Sequence, residues 1–166
     1  HSPVFASPLI AEGILYIGAG DHDLHALDVA TGEELWGFQV QDWIVSSVAY
    51  ADGTVIVASQ DSLIHIVDPI TGRERLLYDT GMSRFETGPV IHGNLAYFTS
   101  SDGRVWAIDR WAENYPLQRF LWRVKINLYV WRIISQPPAQ PGSVWNRRVG
   151  GDIMGTMAIA HDTLYI

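Results

Sequence analysis

The segment from Gly18 to His25, GAGDHDLH, groups side chains of the types that bind metal ions. Asp21, His22 and Asp23 offer carboxylate and imidazole ligands suited to a divalent cation. Asp21 is matched by Asp61 when the chain is shifted by 40 residues. A repeated turn aspartate, whose carboxylate accepts backbone N–H groups, explains such a match. The pattern therefore favours a structural turn, and no metal site is predicted.

A second group of side chains that could bind a ligand lies in three connecting segments, QDWIVS (41–46), GMSRFET (81–87) and GGDIMG (150–155). Loops on a rigid scaffold are where binding sites concentrate. Aromatic, arginine and carboxylate groups that converge there would bind a flat or anionic ligand, or a partner. The alternative is that they form packing contacts and salt bridges inside the protein. The candidate residues of this face are Asp42, Trp43, Arg84, Phe85, Glu86, Asp152 and Met154.

No catalytic residue is predicted. The sequence shows no serine–histidine–aspartate constellation, no glycine-rich phosphate loop and no spaced pair of carboxylates. It also contains no cysteine, which removes disulfides, thiolate metal sites and cysteine nucleophiles together.

The connecting segments are positioned by a repeat of about 40 residues. Ser7–Gly32 aligns with Ser47–Gly72 without a gap, Thr87–Asp109 follows after a further 41 residues, and Trp145–Ile166 aligns with Trp36–Val57. Each unit contains short runs of alternating apolar and polar residues separated by turn residues, which indicates β-strands. Four antiparallel strands, here called A to D, in a unit of this length describe one blade of a β-propeller.

The predicted fold is all-β: a partial β-propeller of about three and a half four-stranded antiparallel blades in one domain over residues 1–166. Because a closed ring takes about four to eight blades, we interpret the chain as a piece of a larger propeller. The alternative is an open array that another copy of the chain closes. The predicted units are blade 1 at 6–40, blade 2 at 46–80, blade 3 at 87–149 with an insertion at 110–143, and the start of blade 4 at 155–166.

The first blade carries the pattern A-x-D-x-x-T-G-x-x-x-W, which resembles the tryptophan-docking motif of PQQ-type, quinoprotein dehydrogenase-like β-propeller repeats. The resemblance implies that the tryptophan packs between adjacent blades and that its indole N–H bonds a backbone acceptor. Blade 2 has Leu76 at the tryptophan position, so we expect the first blade boundary to be firmer than the second. The predicted docking residues are Ala26, Asp28, Thr31, Gly32 and Trp36 in blade 1, Asp68, Thr71 and Gly72 in blade 2, and Trp145 in blade 3.

The resemblance implies a non-catalytic scaffold for protein–protein interaction or ligand sensing. Similar family members include the lipoprotein that helps to assemble outer-membrane barrels and the sensor domains of bacterial kinases. It also implies an extracytoplasmic location, periplasmic or at the cell surface, and no cofactor. The alternative is part of a PQQ-dependent alcohol or sugar dehydrogenase, in which PQQ and calcium bind near the axis and Trp43 is a stacking platform. The vicinal cysteines common in such enzymes are missing here.

Charge is distributed unevenly along the chain. The net charge is −7, but residues 1–109 carry 15 acidic and 4 basic side chains, whereas residues 110–151 carry 1 acidic and 7 basic ones. An acidic body repels phosphate backbones, so no nucleic-acid partner is predicted. No apolar run approaches the roughly 20 residues that a membrane-spanning helix needs.

The insertion at 110–143 contains five basic residues among aromatic ones. Helical phasing predicts a helix at 116–134, whereas alternation within the same segment predicts a hairpin strand. In the helix, one face carries Leu117, Phe120, Leu121, Val124, Leu128 and Trp131. The composition resembles an interfacial membrane element or a docking arm for a partner. The alternative is that the insertion packs on its own blades or on missing blades of the same propeller, with its arginines meeting the acidic body. The predicted arm residues are Arg119, Trp122, Arg123, Lys125, Trp131 and Arg132.

Overall fold

A computed structural model describes residues 3–81, 83–151, 153 and 155–166. Within these ranges it contains three four-stranded antiparallel sheets, one two-stranded sheet and one helix. Blade 1 consists of β1 (Leu9–Ala11), β2 (Ile14–Gly18), β3 (Asp23–Asp28) and β4 (Glu34–Gln39). Blade 2 consists of β5 (Ala49–Ala51), β6 (Thr54–Ala58), β7 (Leu63–Val67) and β8 (Glu74–Asp79). Blade 3 consists of β9 (Val90–His92), β10 (Leu95–Thr99), β11 (Arg104–Asp109) and β12 (Ser143–Arg148), and a fourth sheet pairs β13 (Ala158–Ala160) with β14 (Thr163–Tyr165).

Each four-stranded sheet is a meander in which every strand pairs with its neighbours along the chain. All three sheets have a register irregularity at the same place between their third and fourth strands: Ala26/Leu27, Ile66/Val67 and Ala107/Ile108. The partial propeller predicted from the sequence is therefore confirmed.

Two apolar clusters fill the spaces between adjacent blades. The first joins blades 1 and 2 through residues such as Tyr16, Leu24 and Val55. The second joins blades 2 and 3 through residues such as Ile66, Phe98 and Ile108. The central strands supply most of these residues because alternation sends successive side chains to opposite sides of each sheet. The two clusters give the loops a rigid support.

At the first boundary, the outer strand of blade 1 docks on the last turn of blade 2. The indole Nε1 of Trp36 donates a hydrogen bond to the carbonyl oxygen of Pro69 at 2.9 Å. A Cβ atom on Gly72 would lie 2.8 Å from the indole ring. Gly72 also has a φ of 66°, which side chains other than hydrogen rarely allow. Glycine is thus required here both for the turn and for the close approach of the ring.

The docking turn is held by the side chain of its first residue. One carboxylate oxygen of Asp68 accepts hydrogen bonds from the backbone of Ile70 and Thr71 and from the Thr71 hydroxyl. Asp28 makes the same three contacts in blade 1. The backbone N–H of Thr31 is the largest cause of the lowered pKa of Asp28. This turn therefore presents the carbonyl and the glycine to a neighbouring blade in a fixed geometry.

The second boundary uses a different donor. Leu76 is fully buried where blade 1 has its tryptophan, and a Cβ on Gly142 would lie 3.0 Å from it. The Arg75 guanidinium donates to the carbonyl oxygen of Arg110 at 3.4 Å, and by turn position this carbonyl corresponds to that of Pro69. The Arg110 side chain, which is buried, donates to the Ala51 carbonyl at 2.8 Å. We expected looser packing at this boundary than at the first one, but the side chains of Leu76 and Arg110 are both buried.

The docking tryptophan of blade 3, Trp145, pairs with Ala107 as Trp36 pairs with Ala26. Its ring lies 6.0 Å from that of Tyr97, close to the 5.9 Å between Trp36 and Tyr16. Trp145 remains 37% exposed.

The insertion contains a helix, α1 (Gln118–Val130), rather than a hairpin, so the helical alternative is the correct one over a shorter span. It follows a residue with left-handed backbone, Leu117, at a φ of 63°. The insertion covers the outer edge of β8. The Asn114 N–H donates to the Arg75 carbonyl at 2.7 Å, and the Gln140 side-chain amide bonds both the N–H and the carbonyl of Asp79. Covered strand edges do not pair with other chains.

The glycine of the docking turn provides a matched test of the blade contact. We expect Gly32→Ala, where a Cβ meets nothing within 4 Å, to lower the free energy of unfolding by about 1 kcal/mol through backbone strain alone. Gly72→Ala adds displacement of the Trp36 ring and is expected to cost about 3 kcal/mol. Urea unfolding of both variants measures the difference. Equal losses in the two variants would show that the ring does not depend on Gly72.

Candidate functional site

The loop face consists of the connections entering each blade at 3–5, 41–46 and 83–87 together with the B–C turns. The same backbone hydrogen bond fixes it in three blades. Gly20, Gln60 and Ser101 of the B–C turns donate to the carbonyl oxygens of Pro3, Trp43 and Arg84 at 2.9, 3.0 and 3.1 Å respectively. The loops that carry the candidate residues are therefore anchored on the blades beneath them.

An exposed aromatic pair occupies this face. The rings of Phe5 and Trp43 stack with centroids 5.8 Å apart and planes inclined by 24°. Phe5 is 54% exposed and Trp43 is 45% exposed. The buried Ile44 beside them contacts Gly18 so closely that a Cβ there would lie 2.2 Å from its side chain. The pair therefore stands on a tightly packed support and presents apolar area to solvent.

Phe85 belongs to the core rather than to the loop face. Its ring is fully buried and meets the rings of Phe98 and Trp106 edge-on, at 6.1 and 5.7 Å. Its carbonyl oxygen accepts a hydrogen bond from the Gln60 side chain at 3.1 Å. Because the Gln60 backbone also bonds Trp43, this glutamine ties two connecting segments together.

The charged candidates lie on the connecting segments of the loop face. Asp42 is half-buried and its carboxylate accepts the backbone N–H of Trp43 at 2.8 Å. Arg84 and Glu86 are exposed, and neither forms an ion pair with another described residue. Asp152 and Met154 lie outside the described residues. The structure thus brings Trp43 and Asp42 together on a surface that also carries Arg84 and Glu86.

The Asp21 segment does place metal-ligand types together. Ligand atoms of Asp21, Asp23 and His25 lie within 4.8 Å of one another. Both ring nitrogens of His25, however, already face carboxylates: Nδ1 lies 2.8 Å from Glu34, and Nε2 lies 3.2 Å from Asp21. The Asp21 carboxylate also accepts the Asp23 N–H at 3.2 Å. A metal ion would have to displace these contacts.

The histidine–glutamate contact recurs in blade 2, and neither pair was predicted from the sequence. His65 Nδ1 lies 2.8 Å from Glu74, and the edge of Phe38 packs against the imidazole at 5.4 Å. Each glutamate follows its histidine by nine residues in both repeats. This matched spacing was the available signal, and it marks a structural cross-strand pair that is part of the blade.

The arm residues of the insertion divide between two environments. Trp122 is half-buried, and with Gln118 and Arg123 it lines a cavity of about 320 Å³ against blade 2, near Leu77 and Asp79. The indole nitrogen of Trp122 is buried and has no hydrogen-bond partner among the described atoms. Lys125, Trp131 and Arg132 are exposed. The side chain of Arg119 lies outside what the structure describes. No helix in the described ranges meets the length and hydropathy of a membrane span.

Comparison with known proteins identifies the family. A family model described as outer membrane protein assembly factor BamB matches residues 1–76 and again residues 20–114. The chain belongs to the PQQ-like β-propeller repeat family.

Two curated relatives are also similar to this chain. One is the 1-butanol dehydrogenase (cytochrome c) of Thauera butanivorans, 30% identical in an alignment of 135 residues that covers 68% of this chain and 20% of the relative. The other is the quinohemoprotein alcohol dehydrogenase of Comamonas testosteroni, 30% identical in an alignment of 82 residues that covers 43% of this chain and 12% of the relative. The chain thus spans a fifth or less of these relatives.

Solved structures agree on the fold of this family. BamB from Moraxella catarrhalis superposes with a TM-score of 0.70 over 98% of this chain and 42% of that one, at 23% identity. The computationally designed Ika8 protein superposes with a TM-score of 0.71 over 97% of this chain and 41% of that one, at 14% identity. At these identities the likeness concerns the propeller fold alone.

The His25 contacts predict a pH dependence. Burial by itself lowers the pKa of His25, but hydrogen bonds to Glu34 and Asp21 outweigh it and raise the pKa above its ordinary value. The stabilisation is therefore fully present below the unfolded-state pKa of about 6.5 and is lost as pH rises through the higher folded pKa.

An NMR titration of the His25 ring tests this expectation. We expect Glu34→Gln to lower the pKa of His25, because the substitution removes the carboxylate that holds the ring proton. Glu33→Gln, which removes the neighbouring exposed carboxylate, is the matched control and is expected to leave the titration close to that of the wild type. A pKa of His25 that is the same in both variants would contradict the assigned contact.

Proposed function

We propose that the chain is part of a non-catalytic, extracytoplasmic PQQ-like propeller whose loop face binds a protein partner. The observation that carries this proposal is the exposed stack of Phe5 and Trp43 on loops fixed by hydrogen bonds to the blades. Exposed aromatic rings of this kind supply much of the binding energy in protein interfaces.

Rigidity of the face adds to this argument. The backbone contacts of Gly20, Gln60 and Ser101 hold the loops before any partner arrives. A partner then pays little conformational entropy for ordering them, which favours affinity. Arg84 and Glu86, both exposed, supply polar groups for the rim of such an interface.

The similarity to BamB supports both the role and the location. The matched family model is described as an outer membrane protein assembly factor, and BamB from Moraxella catarrhalis superposes on nearly the whole chain. An assembly factor of the outer membrane works by contacting other proteins outside the cytoplasm. We extend that role to this chain as the basis of the proposed location.

The second candidate function is part of a PQQ-dependent alcohol dehydrogenase, favoured by the two relatives that bear dehydrogenase names. In that case Trp43 would stack on PQQ. The fit is poor at this residue because Phe5 already stacks on one face of its ring, with centroids 5.8 Å apart, which leaves a quinone only the other face. Phe85, another aromatic candidate, is committed to the core. Among the described residues, the loop face therefore offers a better surface for a protein than for a quinone.

Photo-crosslinking in cells tests the protein-binding role. A photoreactive amino acid at position 43 is expected to give an adduct of discrete mass, and Phe5→Ser is expected to reduce its yield about tenfold, as loss of an interface anchor does. Ile70, 83% exposed on the C–D turn of the opposite face, is the control position. Equal labelling at positions 43 and 70, or an adduct that Phe5→Ser leaves unchanged, would refute the proposed face.

Cofactor uptake separates the two candidate functions. After incubation with PQQ and calcium and removal of free PQQ, we expect the absorption spectrum to show no retained quinone. We also expect no reduction of an electron-accepting dye when 1-butanol is added. The dehydrogenase proposal would be favoured over the scaffold proposal if the wild-type protein retained PQQ and reduced the dye with the alcohol, and if Trp43→Ala lost the bound PQQ.

A further inference from the structure

Helix α1 has two apolar sides, and one of them faces blade 2. Trp122, which lines the cavity against blade 2, is half-buried, and so is Ile126, one turn further along the same side. The opposite side carries a row of exposed apolar residues that we call the outer stripe. Its members are Leu117, Phe120, Leu121, Val124 and Trp131. Phe120 is 63% exposed and Trp131 is 76% exposed. Leu128, which shares this side, is half-buried. Apart from Leu128, the side with most of the apolar residues therefore faces solvent.

Basic residues border the outer stripe on both sides. Successive residues of an α-helix are rotated by about 100°, so Arg123 and Lys125 lie on opposite flanks of Val124. Both are exposed, as is Arg132 beyond the end of the helix, although Arg123 also lines the cavity against blade 2. None of the three forms an ion pair with a described residue. Their long aliphatic side chains allow the charged groups to stay in a polar environment while the neighbouring stripe is buried in an apolar one.

We propose that α1 lies flat on an anionic lipid surface with the outer stripe at the boundary between headgroups and acyl chains. The stripe is convex, so it suits a flat, deformable surface. The helix has 13 residues and is about 20 Å long, which is too short to cross a bilayer but suits an interfacial helix. Trp131 lies just past its end, and tryptophan favours the membrane interface.

The charge distribution fixes the orientation of this contact. Residues 110–151 have a net charge of +6, whereas residues 1–109 have a net charge of −11. An anionic surface attracts the helix and repels the acidic body. Each basic residue close to such a surface strengthens partitioning roughly fivefold. The lipid contact thus uses the insertion and leaves the loop face, where Phe5 and Trp43 lie, free for a protein partner.

Co-sedimentation with vesicles tests the proposal. The wild-type protein is expected to sediment with vesicles of equal parts phosphatidylglycerol and phosphatidylcholine and to bind pure phosphatidylcholine vesicles about tenfold or more weakly. High salt is expected to weaken the first interaction. If the wild-type protein does not sediment with the anionic vesicles, the proposal is wrong, and an acidic protein surface becomes the expected partner of the outer stripe.

Matched variants separate the helix from general charge effects. Arg123→Glu/Lys125→Glu is expected to reduce binding more than tenfold, whereas Arg147→Glu/Arg148→Glu, the same charge change on exposed residues of β12, retains most of it. Phe120→Ser/Val124→Ser is expected to reduce binding, whereas Ile70→Ser is not. Helix variants that bind like the wild type, or equal losses in the β12 variant, overturn the proposal. Urea unfolding confirms that each variant is folded.

Discussion

The architecture depends on a backbone carbonyl in the C–D turn, which must receive a hydrogen bond from the outer strand of the preceding blade. A buried carbonyl without a donor is costly. At the first boundary the indole of Trp36 supplies the donor to Pro69, and at the second boundary the guanidinium of Arg75 supplies it to Arg110. The two solutions satisfy one geometric requirement with different chemistry, so the blade repeat tolerates loss of its tryptophan.

The replacement at the second boundary involves the root of the insertion. The guanidinium of Arg110 lies 4.5 Å from the ring centroid of Trp111, and that of Arg75 lies 5.4 Å from it. Arg110 also pairs with Asp52 at 2.7 Å. A planar, always charged guanidinium is suited to stacking and donating at the same time. The first residues of the insertion are thus fixed to the propeller blades. The insertion then covers the edge of β8, and its helix presents the outer stripe to solvent.

Stable boundaries between the blades make the loop face suitable as a binding surface. The blades hold the loops through repeated backbone contacts, and Gln60 links adjacent loops across a boundary. Packing therefore buries some of the candidate side chains, such as Phe85, and leaves others, such as Trp43, exposed for binding. The same division applies to α1, where Trp122 is used against blade 2 and Trp131 is not.

The sequence by itself determined the blades, their order and the docking turn, because strand alternation and the Asp-x-x-Thr-Gly turn are local properties repeated along the chain. Only the tertiary structure decided which aromatic residues are exposed. Phe85 and Trp43 occupy similar connecting segments, yet Phe85 packs against Phe98 and Trp106 whereas Trp43 stacks on the exposed Phe5. The direction of α1 was also undetermined, since both of its sides are apolar. Burial depends on what lies opposite a side chain, and that is set by contacts between residues distant in the chain.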